Sequence, residues 1–130
     1  MAALVIATVA LLGKDYDVKL PPQFAVKEDL VVAWGESEGN TSRRQRVCGA
    51  ILGVCCPDLG REAGADYVKA RFDPLAYGGA VYGYLRQKGA SMGDVTTAAI
   101  PIVNRLYEQV FPRKEEVDKK VVFSEPATGE

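Results

Sequence analysis

Three thiols (Cys48, Cys55 and Cys56) and two carboxylate pairs (Glu36/Glu38 and Glu115/Glu116) are the groups with which this chain could attempt catalysis. A nucleophilic cysteine needs a base or a cation to hold its thiolate, and the 130 residues contain no histidine. Cys48 and Cys55 lie seven residues apart among Val47, Ile51 and Leu52, so burial as small hydrophobes is the expectation. The carboxylates stand in polar stretches that would leave them solvated and ordinary in acidity. No P-loop, G-x-G-x-x-G, G-x-S-x-G or H-E-x-x-H pattern occurs. No catalytic residue, metal ligand or cofactor is therefore expected, and the chain does not read as an enzyme. Three cysteines, two of them adjacent and none in C-x-x-C spacing, fit a reducing compartment better than a disulfide framework.

Residues that could instead make contacts are more numerous. Arg43, Arg44 and Arg46 form a basic cluster that could touch phosphate or an acidic protein surface. They fall in the first turn of an expected helix, where positive charge opposes the macrodipole, and no aromatic residues interleave for base stacking. A salt-bridged or partner-facing surface is the expected role, with nucleic acid as the minor reading. Gly49-x-x-x-Gly53 and Gly79-x-x-x-Gly83, with Gly78 beside it, place small residues one turn apart on two helices. Glycine inside a helix costs ~1 kcal/mol relative to alanine, so these positions need a packing reason. The expectation is that the two helices cross within one chain along Gly79 and Gly83; the alternative is that one such face receives a partner helix. Tyr77 and Tyr84 share a face, and amphipathic tyrosines suit interface edges as well as cores. Trp34 reads equally as core or as an interaction hot spot.

The elements that must position these residues follow from punctuation and period. Leu4–Leu12 is β-branched and uncharged, Gly13-Lys14-Asp15 reads as a turn, and Tyr16–Leu20 alternates apolar with polar: a hairpin at about residues 3–20. The apolar start lacks a basic leader and, at about a dozen residues, is short of the ~20 needed to span a bilayer, so it reads as core strand. A lone hairpin is marginal, so it must pack on helices or pair with another copy. Beyond Pro21-Pro22, a first helix carries Phe24, Val26, Leu30, Val31 and Trp34 on one side. A second spans Thr41 to Cys55, capped by Thr41 or Ser42 and closed by Pro57, before a polar loop, Asp58 to Ala65. A short helical piece is expected around Tyr67–Phe72. Asp73-Pro74 starts a helix that ends near Lys88 at Gly89, and Ser91 to Asp94 caps the last one, about Met92 to Phe111. Its expected stripe is Ile100, Val103, Leu106, Tyr107 and Val110, with a kink or break at Pro101. Together these predict one mainly helical α+β domain over residues 1–120, with an N-terminal β-hairpin, four or five helices at about 22–111, and a mobile tail at 121–130.

The net charge of −1, 48% hydrophobic and 25% charged content exclude a disordered chain or a strongly basic one. The order of segments resembles the small tail-assembly chaperones of long-tailed bacteriophages and their prophages. The resemblance is carried by Arg43-x-x-Arg46 running into Ala50-Ile-Leu-Gly53-x-Cys-Cys-Pro57, then Asp73-Pro-Leu-Ala-Tyr77-Gly78, Val81-x-x-x-Leu85-x-x-x-Gly89 and Phe123-x-x-Pro-x-x-Gly129. It covers most of Asp15 to Glu130 at the level of pattern; the very apolar first twelve residues depart from it. It implies a non-enzymatic protein of the host cytoplasm that binds the tape-measure protein or other phage tail proteins, with Phe123 in a contacting tail. A structural head or tail component, self-assembling through hairpin and tail as a homo-oligomer, stays open.

Overall fold

The structure, a computed structural model, describes residues 8–66 and 73–112. Strands β1 (Thr8–Leu11) and β2 (Lys14–Asp17) pair antiparallel, Thr8 opposite Asp17 and Leu11 opposite Lys14. The turn is Leu12-Gly13, not Gly13–Asp15 as the sequence suggests. Both turn residues have positive φ, 57° and 77°, as a two-residue loop requires to match the twist of its strands. Lys14 and Asp15 are thereby drawn into β2. Val9, Leu11 and Tyr16 face the core while Thr8 and Ala10 face out. Residues before Thr8 lie outside the described residues.

Five helices follow: α1 (Phe24–Glu36), α2 (Thr41–Cys55), α3 (Pro57–Glu62), α4 (Pro74–Gln87) and α5 (Met92–Val110). The cap of α2 is Asn40, whose side chain accepts from the Arg43 N–H, so Thr41 and Ser42 are already helical. Pro57 opens a helix rather than introducing a polar loop: it occupies the first helical position, where a missing N–H is harmless, and Leu59 of that helix is fully buried. The expected starts and stop of the last two helices are observed. Asp73 caps α4, and Ala90 N–H reaches back to Leu85 C=O around Gly89 at φ 107°. Ser91 and Asp94 form a reciprocal capping box for α5.

α5 runs unbroken through Pro101. The carbonyl that loses its donor belongs to Thr97, which is exposed, so water can serve it. Its buried side is Val95, Ala98, Ala99, Ile102, Val103, Leu106 and Val110. Ile100 and Tyr107, expected in that stripe, are exposed instead, as is Phe24 at the start of α1. α2 is the central helix. Every residue from Val47 to Cys55 is buried, because α1, α3, α4 and α5 all pack around it. Lys19 N–H donates to Cys55 C=O at 2.7 Å, tying the exit of the hairpin to the open end of α2. The expected helical piece at 67–72 and the tail at 121–130 lie outside the described residues.

Candidate interaction surface

The α2–α4 crossing consumes the glycine face. A Cβ on Gly49 would overlap the Gly78 carbonyl oxygen, and one on Gly78 would overlap the Arg46 carbonyl oxygen. The helices therefore cross within one chain, as expected, but at Gly78. Gly79 has only the Arg46 side chain in reach, at 3.6 Å, and Gly83 has nothing within 4 Å. One residue is a 100° rotation of the helix, which moves these two off the contact. Tyr77 is buried beneath the same crossing, where its ring would lie 2.7 Å from a Cβ on Gly53 and its hydroxyl 2.7 Å from one on Gly60. Gly79, Gly83 and Tyr77 thus form no joint docking face.

The arginine cluster divides three ways. The Arg44 guanidinium stacks on Trp34, its carbon 3.7 Å from the ring centre. Its Nε donates to Ser37 Oγ at 2.6 Å and its Nη2 to Trp34 C=O at 3.3 Å, while the fully buried Ser37 hydroxyl donates to the same carbonyl at 2.7 Å. Arg44 thereby sits at the negative end of α1, which answers the sequence objection to positive charge at the start of α2. Arg43 faces Glu36 at 4.0 Å across an exposed surface, a pairing worth little. Arg46 is exposed. Trp34 is half-buried under Arg44, which makes it a piece of the α1–α2 corner rather than a free hot spot. Replacing Arg44 with Ala should cost about 2 kcal/mol, the sum of charged hydrogen bonds and a cation–π contact. Arg46→Ala should stay within about 0.5 kcal/mol. Urea unfolding of the two variants compares them directly.

A cluster not foreseen from the sequence surrounds Glu62. Lys14 Nζ donates to its Oε2 at 2.6 Å, while the Tyr16 and Tyr84 hydroxyls donate to its Oε1 at 2.8 Å and 3.1 Å. This joins the hairpin to α3 and α4. Hydrogen bonds from Lys14 and Tyr16 hold the Glu62 carboxyl below its ordinary range. Burial, and next the bond to Glu62, push the Tyr16 phenol up to about 12. The carboxylate keeps its charge and the phenol its proton near neutrality, so the four residues clamp elements together rather than moving protons. Because the folded phenol titrates above its ordinary 10.0, its stabilisation is complete below pH 10 and lost as pH rises toward about 12. Melting midpoints of the wild type should fall across that window, and Tyr16→Phe should fall less steeply.

The three cysteines are free and buried. Burial raises all three thiols, Cys56 to about 12 with Asp17 and Asp58 adding to it. A thiol so held stays protonated and is a poor nucleophile. Glu36 and Glu38 are exposed. Among the described residues no three His, Cys, Asp or Glu side chains converge as metal ligands, and no helix is long and apolar enough to cross a membrane.

Among the described residues, the large apolar side chains left outward are Phe24 and Val32 on α1 and three on α5 and its C-cap. Ile100, Tyr107 and Phe111 are 42%, 40% and 54% exposed. At steps of seven and four residues they make one stripe beside the buried one. The Tyr107 and Phe111 rings touch, centroids 5.7 Å apart. Lys27 Nζ donates to Gln109 Oε1 at 2.7 Å, which sets the start of α1 beside the end of α5. Phe24, 53% exposed, is one turn of α1 from Lys27 and so lies near that end of α5, although Gln109 itself is on the side of α5 away from the stripe. Helical period alone puts Phe24, Ile100 and Tyr107 on the apolar faces of their helices; the signal that separates the α5 pair from the buried side is an apolar arc on α5 wider than one buried face needs. Phe123 lies outside the described residues. No protein-family model, curated protein or solved structure matches the chain.

Proposed function

We propose that this chain is a non-enzymatic assembly factor of a tailed bacteriophage that binds an amphipathic helix of the tape-measure protein in the host cytoplasm. The observation that carries the reading is the exposed stripe Ile100–Tyr107–Phe111, with Phe24 at the same end. An amphipathic helix buries its own apolar face by lying along such a surface. The thiols are buried and protonated, and the Glu62 cluster ties the hairpin to α3 and α4, so neither enters this proposal as a reactive group. A structural head or tail component is the second reading, favoured by the edge of β1, which no described residue covers. The nucleic-acid reading loses Arg44 to the α1 terminus and retains only Arg43 and Arg46.

Titration of the purified chain with helical tape-measure segments, repeated at low and high salt, tests the proposal. Apolar docking is expected to saturate and to lose little affinity as salt rises, because screening weakens charge contacts only. No saturable binding, or affinity that collapses with salt, would end this reading.

A further inference from the structure

The hairpin has two edges treated very differently. In a two-residue-loop hairpin, Leu11–Lys14 and Val9–Tyr16 exchange the ladder hydrogen bonds, so the backbone N–H and C=O of Thr8 and Ala10 point away from β2. Among the described residues, none donates to or accepts from those groups. The β2 side carries Lys14, Asp15, Asp17 and Lys19, packs against α3, and is closed where Lys19 N–H meets Cys55 C=O. Charges of that kind are how a protein keeps a strand edge from recruiting another. β1 and its turn have none: from Thr8 through Gly13 there is neither a charged residue nor a proline.

Beside β1 lies an open groove of about 850 Å³, lined by β1 and its turn together with Lys88, Ala90, Ser91, Asp94, Thr97 and Pro101. A segment that pairs with β1 there must be extended, small in side chain along β1, and supplied with free backbone donors and acceptors of its own. β1 of a second copy has each of these properties. We propose that β1 pairs antiparallel with β1 of a second copy about a two-fold axis at Val9, Thr8 of each opposite Ala10 of the other.

In this register each Thr8–Ala10 pair exchanges two N–H···O=C bonds through groups that have no partner among the described residues. Val9 meets its counterpart on the buried face, so both cores lie on one side of a continuous four-stranded sheet. A shift of one residue would put the already bonded groups of Val9 and Leu11 on the joint instead. Four residues per strand make a small interface, so the association is concentration-dependent rather than permanent. The pairing stands independently of tape-measure binding.

Sedimentation velocity of the full chain over the micromolar range tests this, with Ala10→Pro and Ala10→Lys alongside. Ala10→Pro deletes an outward N–H while leaving both bonded pairs of the hairpin intact. Ala10→Lys places a charge on an exposed position, which keeps the variant assessable should the proline disturb folding. The wild type is expected to shift toward dimer with concentration, and either variant, with a wild-type circular dichroism spectrum, to dimerise at least tenfold more weakly. A wild type monomeric throughout, or folded variants that dimerise undiminished, would overturn the proposal.

Discussion

Gly78→Ala is expected to destabilise the protein by about 3–5 kcal/mol, a large share of the 5–15 kcal/mol that holds a typical domain together. The added methyl would overlap the Arg46 carbonyl oxygen and come within 2.8 Å of the Ala50 nitrogen. Both are backbone atoms of the central helix, so no side chain can swing aside; α2 and α4 would have to separate. Gly49→Ala should behave alike, since its Cβ meets the Gly78 carbonyl from the other side. Gly83→Ala is the control. It lies in the same helix with open space around it and should be neutral or stabilising by up to ~1 kcal/mol, through helix propensity. Urea unfolding followed by circular dichroism distinguishes them: similar stabilities for the Gly78 and Gly83 variants would mean the helices do not touch where described.

The second large effect is on binding. If the proposed function holds, Tyr107→Asp should weaken binding of a tape-measure helix by about 2 kcal/mol, roughly thirtyfold, because a charge would replace an aromatic ring at the centre of the stripe. Tyr107 is 40% exposed, so the substitution should leave unfolding stability within about 0.5 kcal/mol of the wild type. Anisotropy of a labelled helical segment gives the affinity, and the same urea experiment gives the stability. Undiminished affinity in the variant would take Tyr107 out of the proposed surface.

Local signals carried most of the fold. Asp73-Pro74, Gly89 and the Ser91/Asp94 box each satisfy or release backbone groups within a few residues, so short spacings reveal them. The hairpin is legible for the same reason, but its turn is not. Placing Leu12 at positive φ is unfavourable for a branched residue, and only the pairing of Val9 with Tyr16 and Leu11 with Lys14 forces it. The phase of packed helices is hidden as well. Glycine spacing says that α2 and α4 approach closely, yet whether Gly78 or Gly79 leads is fixed by tertiary contact. On α5, period alone cannot say which of two adjacent apolar stripes is covered, so Ile100 and Tyr107 were expected inside with Val103 and Leu106. The Glu62 clamp joins residues 22 to 48 positions apart in the chain. No spacing rule reaches across that distance.

The proposed function rests on the outward stripe of α5 as the seat of a tape-measure helix. The most direct measurement is an amide and methyl chemical-shift titration of the labelled chain with that helical segment, in high salt. Perturbations concentrated at Ile100, Tyr107, Phe111 and Phe24, with Arg43 and Arg46 little changed, are the predicted result. Saturable binding whose perturbations fall on the arginines, or anywhere that leaves the α5 stripe unmoved, would contradict it.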